Sequence, residues 1–291
     1  MKLVTFSQAG KVCAGILLDG DIAICDSGPD ASHAVLAAIA DDKTMSEWKQ
    51  KAESGSERVT LADVELLAPI PEPRRDIYCV GKNYLAHAAE FHSSGFDSSG
   101  KEEVPSAPVI FTKAMTSVIG PGAAIRSALD PTGSLDYEGE LALVIGQKCF
   151  GVSKADAYSV IFGYTIINDA TSRDLQKKHN QWVIGKSIDT FCPMGPAIVT
   201  ADEVGDVAEL KLRTTVNGEV RQDALVSDLI FDIPTLIETM SATMTLLPGD
   251  IIATGTPVGV GIGFDPPRYL KPGDEVSITI SRVGELTNPV E

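Results

Sequence analysis

The chain has 291 residues, enough to bury a sizeable core in one large domain, or in a large domain with a smaller appendage, without staples or a partner. Its 24 Lys+Arg against 40 Asp+Glu leave a net charge of −16, a field that repels phosphate backbones and anionic membranes and argues against both as partners. An anionic substrate can still bind where a cluster of Lys and Arg, or a bound cation, reverses the potential inside a pocket.

The opening MKLVTFSQAGKVCAGILL lacks a basic region followed by a long apolar stretch. No window reaches the roughly 18 apolar residues of a membrane span, so the expectation is a cytoplasmic protein. Lys2–Ser7 and Val12–Leu18 read as short strands, Ala34–Ala40 as an Ala-rich helix, and the rest up to about residue 70 as polar sequence without a chemical motif. Cys13, Cys25, Cys79, Cys149 and Cys192 are scattered and contain no CxxC pair, which predicts buried, inert thiols. The run Pro69-Ile70-Pro71-Glu72-Pro73-Arg74-Arg75 fixes several φ angles and removes three backbone donors. It divides a small N-terminal α/β domain, 1–72, from a main domain, 73–291.

Past that boundary, Ile77–Val80 reads as a short strand, and Asn83 as the cap of a helix running through Tyr84–Glu90 that puts His87 and Glu90 on one face. Residues 92–107 are rich in Ser, Gly and charge, a candidate lid. From Val109 onward short β-rich segments alternate with Gly and Pro: 140–145, 161–167, 197–200, 210–216, 251–254 and 275–280. Helical pattern is confined to pieces such as Ile233–Met240. The fold class is α+β, with a dominant, strongly bent mixed sheet.

The chemistry concentrates in Asp136-Tyr137-Glu138-Gly139-Glu140-Leu141. A strand sends alternate side chains to one face, so three acids would crowd together ahead of the apolar run 141–145. A bound cation relieves that repulsion; for this segment alone, a charged edge strand facing solvent is the alternative. Tyr164–Asp169 is a second buried-type strand ending in an acid. Oxygen donors from Glu138, Glu140 and Asp169, with no His or Cys beside them, suit Mg²⁺ or Mn²⁺, with Ca²⁺ as a further candidate, and zinc poorly.

Gly185-Lys186-Ser187 lacks the earlier glycine of a phosphate loop, since Asn180 stands there. Gly259, Gly261 and Gly263 lack a following helix and point to close backbone approach rather than a dinucleotide site. His33, His92 and His179 have no metal-ligand spacing, and Trp182 reads as packing.

DYEGEL, NDATSRDLQ, GKSIDTFCPMGP and ATGTPVGVG, preceded by VGKNYLAHAAE, resemble in order and spacing the signature blocks of the fumarylacetoacetate hydrolase family, over roughly residues 73–291. The resemblance implies that family's β-sheet roll and a homodimer. It implies that Glu138, Glu140 and Asp169 take the metal, that His87 and Glu90 activate a water, and that Lys186 is the active-site lysine. Arg173, Gln176 and Thr256 are implied to contact substrate. The largest family members carry one more metal-ligating acid upstream; no counterpart stands out between His92 and Lys113, and a water would take its place.

The leading functional reading is metal-dependent hydrolysis of a C–C bond in an acylpyruvate-like 2,4-dioxo acid, a small anionic dicarbonyl. The metal would act as Lewis acid, His87 with Glu90 would activate water, and Lys186 would stabilise the developing charge. The same parts would also serve a tautomerase, isomerase or decarboxylase of a 2-oxo acid such as oxaloacetate. A non-catalytic metal- or ligand-binding protein is the remote alternative.

Overall fold

Strand Gly139–Ile145 is buried along its whole length. Its Leu141, Leu143 and Ile145 enter one apolar core, while Ala142 and Val144 enter another. A strand that is apolar on both faces needs a layer on each side. The computed structural model, which describes residues 1–55, 57–96 and 102–291, supplies both layers. On one side lies a four-stranded antiparallel sheet in the order Glu219–Leu225, Lys211–Val216, Glu275–Ile280, Gly284–Pro289. It brings Leu212, Val216, Val276, Ile278 and Leu286 into the first core. On the other side, helices Ala34–Ala40 and Asp42–Ser54 bring Leu36, Ile39 and Trp48 into the second.

The central sheet has twelve strands and is mixed. From one edge its main path runs Arg58–Thr60, Asp21–Asp26, Lys11–Leu17, Lys2–Gln8, Cys192–Thr200, Ile161–Asn168, Gly139–Ile145, Ile251–Ala253, Ile77–Gly81, Val109–Lys113. Lys2–Gln8 joins Cys192–Thr200 through the pairs Lys2↔Val199 and Leu3↔Ile198, so the leading segment extends the main sheet. Thr5 Oγ1 donates to the Pro69 carbonyl (2.9 Å), pinning the proline-rich run to that strand. The chain is α+β, as expected from its sequence.

Three local expectations need correction. The polar stretch after Ala40 is a helix: Asp41 accepts from the Thr44 amide (3.0 Å), Gly55 ends the helix at φ 72°, and Trp48 is its buried anchor. Asn83 does not cap the next helix, Leu85–Ser93, whose N-cap position is Tyr84. Its amide instead donates to the carbonyls of Thr254 (2.8 Å) and Phe231 (3.1 Å), and its oxygen accepts from the Phe231 amide (2.8 Å). Asp21–Asp26, Glu219–Leu225 and Gly284–Pro289 are strands that the pattern did not announce. Glu219–Leu225 is a polar edge, and Gly284–Pro289 is bracketed by Gly and Pro. No helix among the described residues is long and apolar enough to cross a membrane.

Candidate functional site

Two neighbouring strands deliver the acids. Glu140 lies opposite Ile167 across the antiparallel pair, and Asp169 follows the end of the partner strand. The Asp169 amide donates to the Glu138 carbonyl (2.9 Å) and the Glu138 amide to Asn168 Oδ1 (3.0 Å), fixing the two chain segments against each other. One carboxylate oxygen each from Glu138, Glu140 and Asp169 then falls within 4.8 Å of the others, all three residues being buried. This is the one such cluster among the described residues.

Three buried cations face it. Lys186 Nζ donates to Glu138 Oε2 and Asp169 Oδ2, 2.7 Å each. Arg173 Nη1 lies 2.6 Å from Glu138 Oε1, and Lys113 Nζ 2.8 Å from Asp169 Oδ1. Lys113 also donates to the carbonyls of Ala170 (3.0 Å) and Lys186. Burial alone would raise the Glu138 carboxyl, but Lys186 and Arg173 outweigh it and hold it at about 2. Glu140 goes the other way: burial, then the charges of Asp169 and Glu138, push it well above the usual carboxylate range. Burial would lower Lys186, yet Asp169 and Glu138 raise it, so it stays an ammonium.

This imbalance bears on whether a metal fits. Among the described residues Glu140 has no ion-pair partner and accepts only from the Gly255 amide on Oε2 (2.8 Å), and Asp169 Oδ1 accepts no well-formed hydrogen bond. A set of three buried, oxygen-only donors, one of which has no cation of its own, matches a hard divalent cation. The residues present fit one.

Asp136, which the alternation placed with Glu138 and Glu140, does not join that cluster. Two irregular residues, Tyr137 and Glu138, separate its short strand Leu135–Asp136 from Gly139–Ile145, and that strand pairs with Thr171–Ser172 instead. Its carboxylate accepts from Arg173 Nε (2.9 Å), from the amides of Gly261 (2.6 Å) and Ile262 (3.1 Å), and from the Tyr137 amide (2.9 Å). Arg173 is thereby held between Asp136 and Glu138, with its Nη2 lacking a partner among the described residues.

His87 and Glu90, three apart on helix Leu85–Ser93, meet as the spacing predicts, His87 Nδ1 lying 3.0 Å from Glu90 Oε2. Glu90 is held from the far side by the Gly259 amide (3.0 Å to Oε1). The glycine run is thus a carboxylate cradle. A Cβ on Gly261 would lie 2.5 Å from Asp136 Oδ1, and one on Gly263 1.9 Å from Glu90 Oε1. Gly185 has a similar use: a Cβ there would lie 2.4 Å from the Gln176 amide, so glycine lets helix Val183–Lys186 pack on Arg173–Lys178 and brings Lys186 beside Arg173.

One small cavity is lined by His87, Glu138, Glu140, Arg173, Gln176, Lys186 and Thr256, together with Lys82 and the aromatic wall Phe91, Phe111 and Trp182. Glu90 and Asp169 reach it through His87 and through Lys186. Gln176 Oε1 accepts from Arg173 Nη1 (3.2 Å); the Thr256 hydroxyl donates to the Gly139 carbonyl (3.0 Å) and accepts from Gln222 Nε2 (2.8 Å). Trp182 does pack, edge-on to Phe111 (5.1 Å) and Phe91 (5.9 Å), but it also walls the cavity, and Gly81 leaves the space its ring fills. Lys113 and Lys82 were missed from the sequence; a lysine closing the strand Val109–Lys113 was the available signal for the first. Of the candidate lid, residues 97–101 lie outside the described residues; Lys82 Nζ donates to the Glu102 carbonyl beyond them (2.7 Å).

Comparison with known proteins bears on the whole arrangement. Residues 76–291 match the family described as fumarylacetoacetate (FAA) hydrolase C-terminal. The chain is 50% identical over 254 residues, 87% of its own length and 82% of the relative's, to the oxaloacetate tautomerase YisK of Bacillus subtilis. A fumarylacetoacetate hydrolase from Exiguobacterium antarcticum shares its fold at TM-score 0.83 with 38% identity, covering 100% of this chain and 99% of that one. A maleylpyruvate hydrolase from Sphingobium, solved with manganese(II) and pyruvate, does so at 0.79 with 33% identity, covering 100% and 98%. The acid cluster, the His–Glu pair and these matches lead to one assignment: the chain belongs to the fumarylacetoacetate hydrolase family.

Proposed function

We propose that this chain is a divalent-metal-dependent tautomerase of a short 2-oxo dicarboxylate of the oxaloacetate class, with Glu138, Glu140 and Asp169 as metal ligands. The observation that carries the reading is the joint placement of His87, Glu138, Glu140, Arg173 and Lys186 around one cavity, with Asp169 tied to Lys186. Moving a proton within one short molecule demands only a proton carrier and a means of stabilising the enolate, with no second reactant. The relative that is 50% identical bears the name of this activity.

The reaction shifts one proton between carbon 3 and the oxygen on carbon 2. With Nδ1 tied to Glu90, His87 carries that proton on Nε2, and the Glu90 carboxylate stabilises the imidazolium while it does. Gly259 keeps Glu90 aimed through the step. Arg173, with Nη2 left for a ligand, and Gln176 orient a substrate carboxylate, and Lys186 adds fixed positive charge where negative charge grows on oxygen. Bound at the three acids, Mg²⁺ or Mn²⁺ would polarise the carbonyl as a Lewis acid.

Hydrolytic C–C cleavage is the second reading, favoured by the likeness to the maleylpyruvate hydrolase. The test is decay of the oxaloacetate enol band with Mg²⁺ or Mn²⁺, after chelation and after metal is restored, beside pyruvate release from an acylpyruvate panel. Metal-dependent enol–keto exchange without pyruvate or carbon dioxide is the expected result. A larger kcat/KM for acylpyruvate cleavage would move the chain to the hydrolases, and activity indifferent to chelation would remove the metal from both readings.

A further inference from the structure

Tyr137 stands beside the metal-ligand candidates in sequence yet turns away from them. It is fully buried, and its hydroxyl donates to the carbonyl of Gly259 (2.7 Å). Gly259 sits at φ 107°, and a Cβ there would come 1.9 Å from the Arg221 carbonyl, so the residue is fixed both in identity and in place. The N–H of this same residue donates to Glu90, at 3.0 Å to Oε1 and 3.3 Å to Oε2. Two and three residues on, the Gly261 and Ile262 amides are tied to Asp136. The backbone of 259–263 is therefore anchored on one side by Tyr137 and Asp136, and on its other side it forms the seat of Glu90, which Gly263 also touches.

We propose that Tyr137 is a positioning residue that orients the His87–Glu90 pair through the Gly259 backbone, an inference that rests on reading His87 as the proton carrier. Nothing in this chain of contacts reaches the cavity from Tyr137 itself; it acts by holding the peptide that aims Glu90, and Glu90 in turn sets which imidazole nitrogen faces the substrate. Removing the hydroxyl loosens the seat without changing the cavity lining or the three acids.

Tyr137→Phe keeps the ring and deletes one donor. With metal-loaded enzyme the expected result is a fall in kcat of about tenfold, the order of one lost hydrogen bond acting on the rate, with KM and calorimetric metal affinity within about twofold of wild type. The independent readout is the downfield proton resonance of the His87 Nδ1–Glu90 hydrogen bond, assigned by its absence in His87→Gln, which should shift or broaden. Gly263→Ala, at an exposed position of ordinary φ, tests the same seat from the other side if Tyr137→Phe fails to fold, because its methyl must displace Glu90. A resonance unmoved in every variant that folds, or a loss of metal affinity equal to the loss of kcat, overturns the proposal. If the wild type does not tautomerise any 2-oxo acid tested but the resonance moves, the positioning role stands and the proposed reaction falls.

Discussion

Asp136 and Glu140 are four residues apart in one short stretch, both buried, and neutralised in different ways. Asp136 gathers four donors from three parts of the chain, one of them a guanidinium. Glu140 receives one amide and no ion pair among the described residues, and two other acids press on it. The first is a finished joint of the protein; the second is a debt of charge left at the site. A buried acid with every lone pair used stabilises the fold, whereas one left short of donors marks where a ligand is expected to complete it.

The sharpest way to break this contrast is to neutralise each acid in turn. Asp136→Asn should destabilise the metal-free protein by about 3 kcal/mol in urea unfolding, because Arg173 then stays buried with half its counter-charge. Glu140→Gln should leave metal-free stability unchanged or raised at neutral pH. It should weaken Mn²⁺ binding in titration calorimetry by about a hundredfold or more, above the loss from an outer partner. Equal destabilisation by both substitutions would erase the distinction.

A pH series sharpens it further. Glu140 has a folded pKa raised above its unfolded value, so its contribution is fully present below the ordinary glutamate range and is lost as pH climbs towards the raised value. Metal-free Tm should therefore fall across that window, less so in Glu140→Gln, and added Mn²⁺ should raise Tm more at the higher pH because binding needs the carboxylate. The smallest expected effect is the solvent control: Arg213→Ala breaks the exposed pair with Asp223 (2.8 Å) and should cost about 0.5 kcal/mol or less.

Local rules made one half of this site legible. The strand expected over 140–145, the acid closing the strand expected over 161–167 and the three-residue step from His87 to Glu90 each follow from the geometry of one element; the structure has strands 139–145 and 161–168, Asp169 directly after the second, and His87 3.0 Å from Glu90. The other half is made by contacts between distant segments. Asp136 leaves the alternation because the chain breaks strand at Tyr137 and Glu138 to pair with 171–172, which no pattern within 136–141 contains. Asn83 reads as a cap by type, yet spans to Phe231 and Thr254, 148 and 171 residues away. The helix Asp42–Ser54 escaped because a single buried residue, Trp48, makes no periodic stripe.

The strand Gly139–Ile145 is gripped by a core on each face, and Glu140 stands at its start, where the backbone cannot shift without repacking both layers. The cavity walls, by contrast, come from the helix that carries Phe91 and from Trp182, beside the short helix of Lys186. In evolutionary terms the fold separates its vocabulary from its grammar. Substitutions in the walls can change what the cavity admits while the acids stay in place, an arrangement that suits a scaffold found in relatives named as tautomerase and as hydrolase.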